Sequence, residues 1–145
     1  MGPESKDGYE AKRTLPILLD DSSNWVHYSE IISTHAKSKG LHRHLAGTAR
    51  IPADIIQDAI GDWYFDGTNI RSTDDEVEAH EKKQDDYETK ESKLRDIIYQ
   101  TVSATRFSQI KDESPANRVW QKLVELNENR GDMMQLNTLT QLQQM

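Results

Sequence analysis

The chain contains no cysteine, which removes disulfides, thiolate zinc sites and cysteine nucleophiles together. A reducing compartment fits that absence. No apolar run approaches the ~20 residues that span a bilayer, and the N-terminus lacks the apolar centre of a secretory signal. The expectation is therefore a cytoplasmic protein with no membrane partner. A lipid anchor is rejected as well: the chain opens Met1-Gly2-Pro3-Glu4-Ser5-Lys6, but the acylation pattern wants Ser or Thr where Lys6 stands, and Pro3 crowds the site. Gly47, Gly61 and Gly67 do not compose a phosphate-binding loop, and no seryl nucleophile elbow is present. The adjacent acids Asp20-Asp21 and Asp85-Asp86 are of the kind that cap helices or face solvent, with no apolar pocket signature beside them to shift a pKa. His42 and His44 lie two apart, on different sides of a helix, and no cysteine or nearby carboxylate pair completes a metal site. No catalytic residue, metal or cofactor is expected, and the chain is read as not an enzyme.

What is present is charge, unevenly distributed. Hydrophobic residues make up 34% and charged residues 30% of the 145, with a formal net charge of −7. At this length one domain is the prior and a core is feasible, provided the apolar residues collect on particular helix faces. From Asp74 to Glu91 nine acids stand against Lys82, Lys83 and Lys90, whereas from Ile31 to Arg50 there are Lys37, Lys39, Arg43 and Arg50 and no acid. Two solvated faces are the plain reading. Complementary contact between neighbouring copies is the sharper one.

Along the chain, residues 1–14 read as a flexible tail and 15–145 as one helical domain. Leu15 to Leu19, around Pro16, is expected as an extended segment packed on the domain. Ser22, Ser23 or Asn24 can cap a first helix running to about Lys39, with Gly40 as its stop and Trp25, Tyr28, Ile31, Ile32, His35 and Ala36 as one apolar stripe. A short second helix presents Leu41 and Leu45 together and ends at Gly47. Pro52 suits the start of a short helix through Ile55, Ile56 and Ala59; Trp63-Tyr64-Phe65 then reads as a loop with Asp66-Gly67 as its turn, and a two-stranded hairpin is a marginal alternative. Thr73-Asp74-Asp75-Glu76 is a capping box opening a long helix to about Ala104. Its first half, with little apolar content beyond Val77, Ala79 and Tyr87, is expected to project into solvent, and Leu94, Ile97, Ile98, Thr101 and Val102 to face the core. Phe107 and Ile110 fall in a short turn or helix. Ser114-Pro115 reads as an N-cap and first helical position for a helix carrying Val119, Trp120, Leu123 and Leu126, ended by Asn129-Arg130-Gly131. Asp132 caps a last helix with Met133, Leu136, Leu139 and Leu142 on one side. The fold class is thus all-α, a compact bundle of about five to six helices with one long helix and an aromatic loop insertion. Its core anchors are Trp25, Tyr28, Ile32, Leu41, Leu45, Leu94, Ile98, Val102, Trp120 and Leu123. The candidate interaction patch is Lys37, Lys39, Arg43 and Arg50 with Trp63, Tyr64 and Phe65. Trp25 and Trp120 lie on apolar stripes, so core is favoured over base stacking; for Trp63, burial and exposure both stay open.

Several segments together carry a family resemblance: Leu18-Leu19-Asp20-Asp21-Ser22-Ser23-Asn24-Trp25-Val26-His27-Tyr28, Lys39-Gly40-Leu41, Gly47-Thr48-Ala49-Arg50, Ala116-Asn117-Arg118-Val119-Trp120-Gln121-Lys122-Leu123 and Leu139-Thr140-Gln141-Leu142. In order and spacing they resemble the capsid region of the Gag polyprotein of copia-type LTR retrotransposons, in the fungal variant where an insertion and an acidic helix follow Gly47-Thr48-Ala49-Arg50. The resemblance implies a helical, non-catalytic protein like a retroelement capsid N-terminal domain, self-associating into virus-like particles. It departs from the family at its end, where further capsid helices and a Cys/His zinc knuckle commonly follow. The expectation is the N-terminal part of a capsid region or a shortened derivative, a weak homo-oligomer, with RNA held through regions of a longer Gag. Two other classes stay open. One is a Gag-derived adaptor that meets a partner through Trp63-Tyr64-Phe65; the other is a helical nucleic-acid-binding domain using Lys37, Lys39, His42, Arg43, His44 and Arg50.

Overall fold

A computed structural model describes residues 14–128; the expected tail to residue 13, the helix stop at Asn129-Arg130-Gly131 and the final helix with Met133, Leu136, Leu139 and Leu142 lie outside the described residues. Residues 14–19 are extended, as expected, and Leu18 is buried with its N–H donating to the Thr101 carbonyl at 2.8 Å. Asn24 clamps this segment from both sides: its Oδ1 accepts from the Leu19 N–H and its Nδ2 donates to the Ile17 carbonyl. That commitment explains why Asn24, the N-cap of the following helix, makes no side-chain capping bond.

Helix α1 (Trp25–Ser38) buries Trp25, Tyr28, Ile32 and Ala36, one residue per turn. Ile31, expected in that stripe, is turned one position off it and stays exposed. After the C-cap Lys39, Gly40 takes φ +75° and the Leu41 N–H reaches back to the Ala36 carbonyl at 2.9 Å, so Leu41 drops into the core. A left-handed residue at this place is what such a helix stop requires, and glycine adopts it without steric cost. Helix α2 (His42–Ala46) follows, ending at Gly47 with φ +80°. A Cβ on Gly47 would stand 2.8 Å from the Asn117 side chain, whose Nδ2 donates to the Leu45 carbonyl. Leu45 itself is only partly buried, because the inward position of this turn belongs to His44.

The next segment corrects the sequence-based expectation. Ile55 and Ile56 do not continue a helix from Pro52, and Trp63-Tyr64-Phe65 is not a loop: β1 (Ile55–Gln57) and β2 (Trp63–Phe65) pair antiparallel, with Ile55 opposite Phe65 and Gln57 opposite Trp63. β-Branched and aromatic residues suit the pleated surface, and Asp58 ties the connection by accepting from the Ile60 and Asp62 amides through one carboxylate oxygen. Among the described residues the protein is mostly helical, consistent with the expected helical bundle, with one small two-stranded sheet added to it. The turn at Asp66-Gly67 forms as expected, with the Thr68 N–H donating to the Phe65 carbonyl.

Helix α3 (Asp74–Gln100) starts with the anticipated capping box: the Thr73 side chain accepts from the Glu76 N–H and Glu76 reaches back to the Thr73 amide. Its first half does not project into solvent. Val77 is buried, His80 meets the Phe65 ring edge-on at 4.8 Å, and the His80 Nε2 and Gln84 Nε2 both engage the Ala53 carbonyl. The hairpin and the residue leading into it, Ala53, are what this half meets at His80 and Gln84. The second half buries Leu94 and Ile98 against α1. At its end Thr101 turns its hydroxyl back to the Ile97 and Ile98 carbonyls, and the Tyr28 hydroxyl bonds Thr101 Oγ1 at 2.7 Å. Burial pushes the Tyr28 phenol up to about 12, partly offset by that hydrogen bond.

Ser103 caps helix α4 (Ala104–Ile110) by accepting from the Arg106 N–H. Ile110 is buried, whereas Phe107 is exposed and packs edge-on to Tyr99. The last described helix, α5, occupies residues 116–128. The Pro115 carbonyl accepts from the Arg118 and Val119 amides, so Pro115 is the residue before the helix and not its first turn. The core joins Leu18, α1, Leu41, α3, Ile110 and α5, where Ala116, Val119 and Leu123 are buried. Val102, like Leu45, packs partly buried at its border. Trp25 is 8% exposed, but Trp120 is only partly buried, its ring tilted against Trp25 and stacked on Tyr28.

Candidate functional site

Where α2, α3 and α5 meet, the body holds a polar knot. Glu91, the last acid of the run from Asp74, is not a solvated residue: it is buried, with Oε2 accepting from His44 Nδ1 at 2.9 Å and Oε1 accepting from the Ala116 N–H at 3.2 Å and the Tyr87 hydroxyl at 3.3 Å. One carboxylate thus satisfies a backbone N–H at the start of α5 and ties α2 to α3. Tyr87 has its pKa raised, first by partial burial and then by the Glu91 charge and hydrogen bond. His44, read from sequence as part of a basic surface, is instead a buried structural partner; His42 is exposed, so the two rings do point to different sides.

Above this knot lies an open cleft of about 460 Å³. Arg43 of α2, Arg50 with Ile51 and Pro52 from the following loop, and His80, Lys83, Asp86, Tyr87 and Lys90 of α3 form its walls. The loop is placed by the Thr48 and Ala49 amides, which both donate to the Arg43 carbonyl. Asp86 is the single carboxylate of the lining, and it is paired with Lys90 at 3.2 Å. Arg43, Arg50 and Lys83 form no ion pair among the described residues.

The candidate patch from sequence is divided. Arg43 and Arg50 meet in the cleft, whereas Lys37 and Lys39 are exposed at the end of α1 and outside its lining. Trp63, Tyr64 and Phe65 are half-buried on the hairpin. Desolvation raises the Tyr64 pKa first, with the Asp58 carboxylate adding to it. Lys83 and Lys90 are not among the candidates read from sequence, because acids surround them in the run from Asp74 to Glu91. The signal was the spacing His80, Lys83, Tyr87, Lys90, a three-four-three repeat that puts all four on one helical face. Acids of the same helix, Asp75, Glu78, Glu81 and Asp85, line a separate surface groove with Lys82.

Among the described residues no group of three or more His, Cys, Asp or Glu could hold a metal ion, and no helix is long and apolar enough to cross a membrane. No protein-family model, curated protein or solved structure matches this chain.

Proposed function

We propose that this chain is a non-catalytic structural subunit that associates with copies of itself, the capsid-type domain of a copia-type Gag acting in the cytoplasm. The observation that carries the reading is the hairpin surface. Ile56, Ile60 and Ile70 are 52%, 83% and 78% exposed in a segment that contributes little to the core. A two-stranded ribbon is marginal alone, and each isoleucine covered by another molecule contributes about 1.5–3 kcal/mol of gross burial. After the cost of association, such a contact is weak by itself. Shells are built from weak contacts repeated by symmetry, which keeps them reversible. The order of the Gag-like segments and the mostly helical body agree with this reading.

The test is sedimentation and light scattering of the protein up to millimolar concentration. Concentration-dependent association is the expected result, and the double substitution Ile60→Lys with Ile70→Lys should weaken it at least tenfold while leaving far-UV circular dichroism unchanged. A parent that stays strictly monomeric throughout that range would replace the shell reading with the adaptor.

A further inference from the structure

We propose that the cleft between α2, the 49–52 loop and the first half of α3 is a binding site for a run of phosphate groups, as carried by free inorganic polyphosphate or by the backbone of single-stranded RNA. The site is distinct from the hairpin isoleucines and does not depend on self-association.

The charge argument comes first. The molecule carries −7 overall, yet the cleft sets two guanidinium and two ammonium groups against one carboxylate already paired with Lys90. Random placement on an acidic surface would intersperse acids among these cations and relieve their mutual repulsion. Instead α3 sorts its charge by face. Lys83 and Lys90 share the cleft with Arg43 and Arg50, and the acids Asp75, Glu78, Glu81 and Asp85 collect on another face. Cations brought together from three separate segments are what an extended polyanion needs, because each successive phosphate then meets its own donor.

Geometry narrows the ligand. Arg43 and Arg50 offer planar forks that match phosphate oxygens two at a time, while Lys83 and Lys90 act as point charges. The walls are held in register before any ligand arrives. His44 bonds Glu91 across α2 and α3, and Asn117 holds the last turn of α2 by its bond to the Leu45 carbonyl. His80 is anchored by the Ala53 carbonyl, which fixes the loop side of the cleft to α3. Preorganisation of this kind lowers the ordering cost of binding. A volume of about 460 Å³ accommodates a few linked phosphates. It is too open to enclose an apolar ligand.

The experiment is fluorescence anisotropy of a labelled single-stranded RNA octamer, with tripolyphosphate as unlabelled competitor, at 50 and 200 mM salt. Neutralising three to four phosphates of a single strand predicts a fall in affinity of roughly 20- to 50-fold between the two salt concentrations. Arg50→Gln and Lys83→Gln should each weaken binding roughly three- to tenfold and flatten the salt slope by about 0.7. Asp86→Asn should strengthen it. Lys82→Gln, next in sequence but in the acidic groove, should leave affinity within the loss expected for one distant charge. Competition by tripolyphosphate identifies phosphate itself as the recognised group; binding of RNA without such competition identifies the linked nucleic-acid backbone as the source. The proposal is overturned if neither probe binds at 50 mM salt, or if Lys82→Gln costs as much as Lys83→Gln. It is also overturned if Lys83→Gln abolishes self-association while neither probe binds, since the cleft would then receive the acidic face of a second copy.

Discussion

The two halves of α3 are one continuous helix with opposite occupations. From Leu94 to Ile98 the inward residues are apolar and fully buried against α1. From Val77 to Tyr87 the inward positions are Val77, His80, Gln84 and Tyr87: His80 meets Phe65 of the hairpin, His80 and Gln84 share the Ala53 carbonyl just before β1, and Tyr87 packs on His44 and bonds Glu91. Glu91 stands at the junction and is buried like a core residue while bonded like a polar one. The comparison teaches that length without interruption specifies a helix, but only the chemistry of its inward face decides whether a stretch builds the core or carries a surface.

The largest test of that contrast compares truncations in the two regions. Trp25→Ala should cost ~3–5 kcal/mol and Leu94→Ala about 2–5 kcal/mol, a large part of the total stability of a domain this size. Val77→Ala, in the first half of α3, should cost about 1.5 kcal/mol. Trp120→Ala should fall below Trp25→Ala because its ring is only partly buried. Denaturant unfolding of the four variants measures the order, and a Val77→Ala loss equal to that of Leu94→Ala would mean that the first half of α3 is a full part of the core.

A smaller effect separates the halves by pH. Tyr28 at the second half has its phenol raised to about 12 by burial, against about 10 in the unfolded chain. A raised pKa means that the folded state keeps the proton longer. Its contribution, about 2–3 kcal/mol, is therefore complete below pH 10 and is lost as pH rises from about 10 through 12. Thermal melting should decline across that window, and Tyr28→Phe should remove most of the decline. An unchanged alkaline loss in Tyr28→Phe would place its source elsewhere.

The smallest effect concerns local opening. Amide exchange should be slowest around Leu94 to Ile98, where opening requires global unfolding, and faster from Glu78 to Asp86, where it requires only release of the hairpin. Phe65→Ala, which removes the edge contact to His80, should quicken exchange in the first half alone. Acceleration in both halves would show the hairpin and the core to be a single cooperative unit.

Much of the body was legible in the sequence because its signals are local. The helix stops at Gly40 and Gly47 and the capping box at Thr73 each depend on residues within one turn, whereas the long helix, expected to reach about Ala104, stops at Gln100 and Ser103 caps a separate helix. The apolar repeats of α1 and of the second half of α3 fixed which faces turn inward, apart from Ile31. The hairpin was not legible as more than an alternative, since a three-residue strand is too short to show a period of two. The site was legible in part. Arg43 and Arg50 lie in a stretch free of acids, but Lys83 and Lys90 are masked by acids adjacent in sequence and separate in space.

By itself the sequence determined that this chain would be mostly helical, where most of the helices begin, and that it has no cysteine, because each follows from composition or from contacts within a few residues. Only the tertiary structure decided that Glu91 and His44 would be an internal pair, that the first half of α3 would carry a hairpin, and that cations from α2, a loop and an acidic helix would share one cleft. Those outcomes depend on which helix faces are brought together by packing, and a charge is basic surface, buried partner or cleft wall according to what stands opposite it.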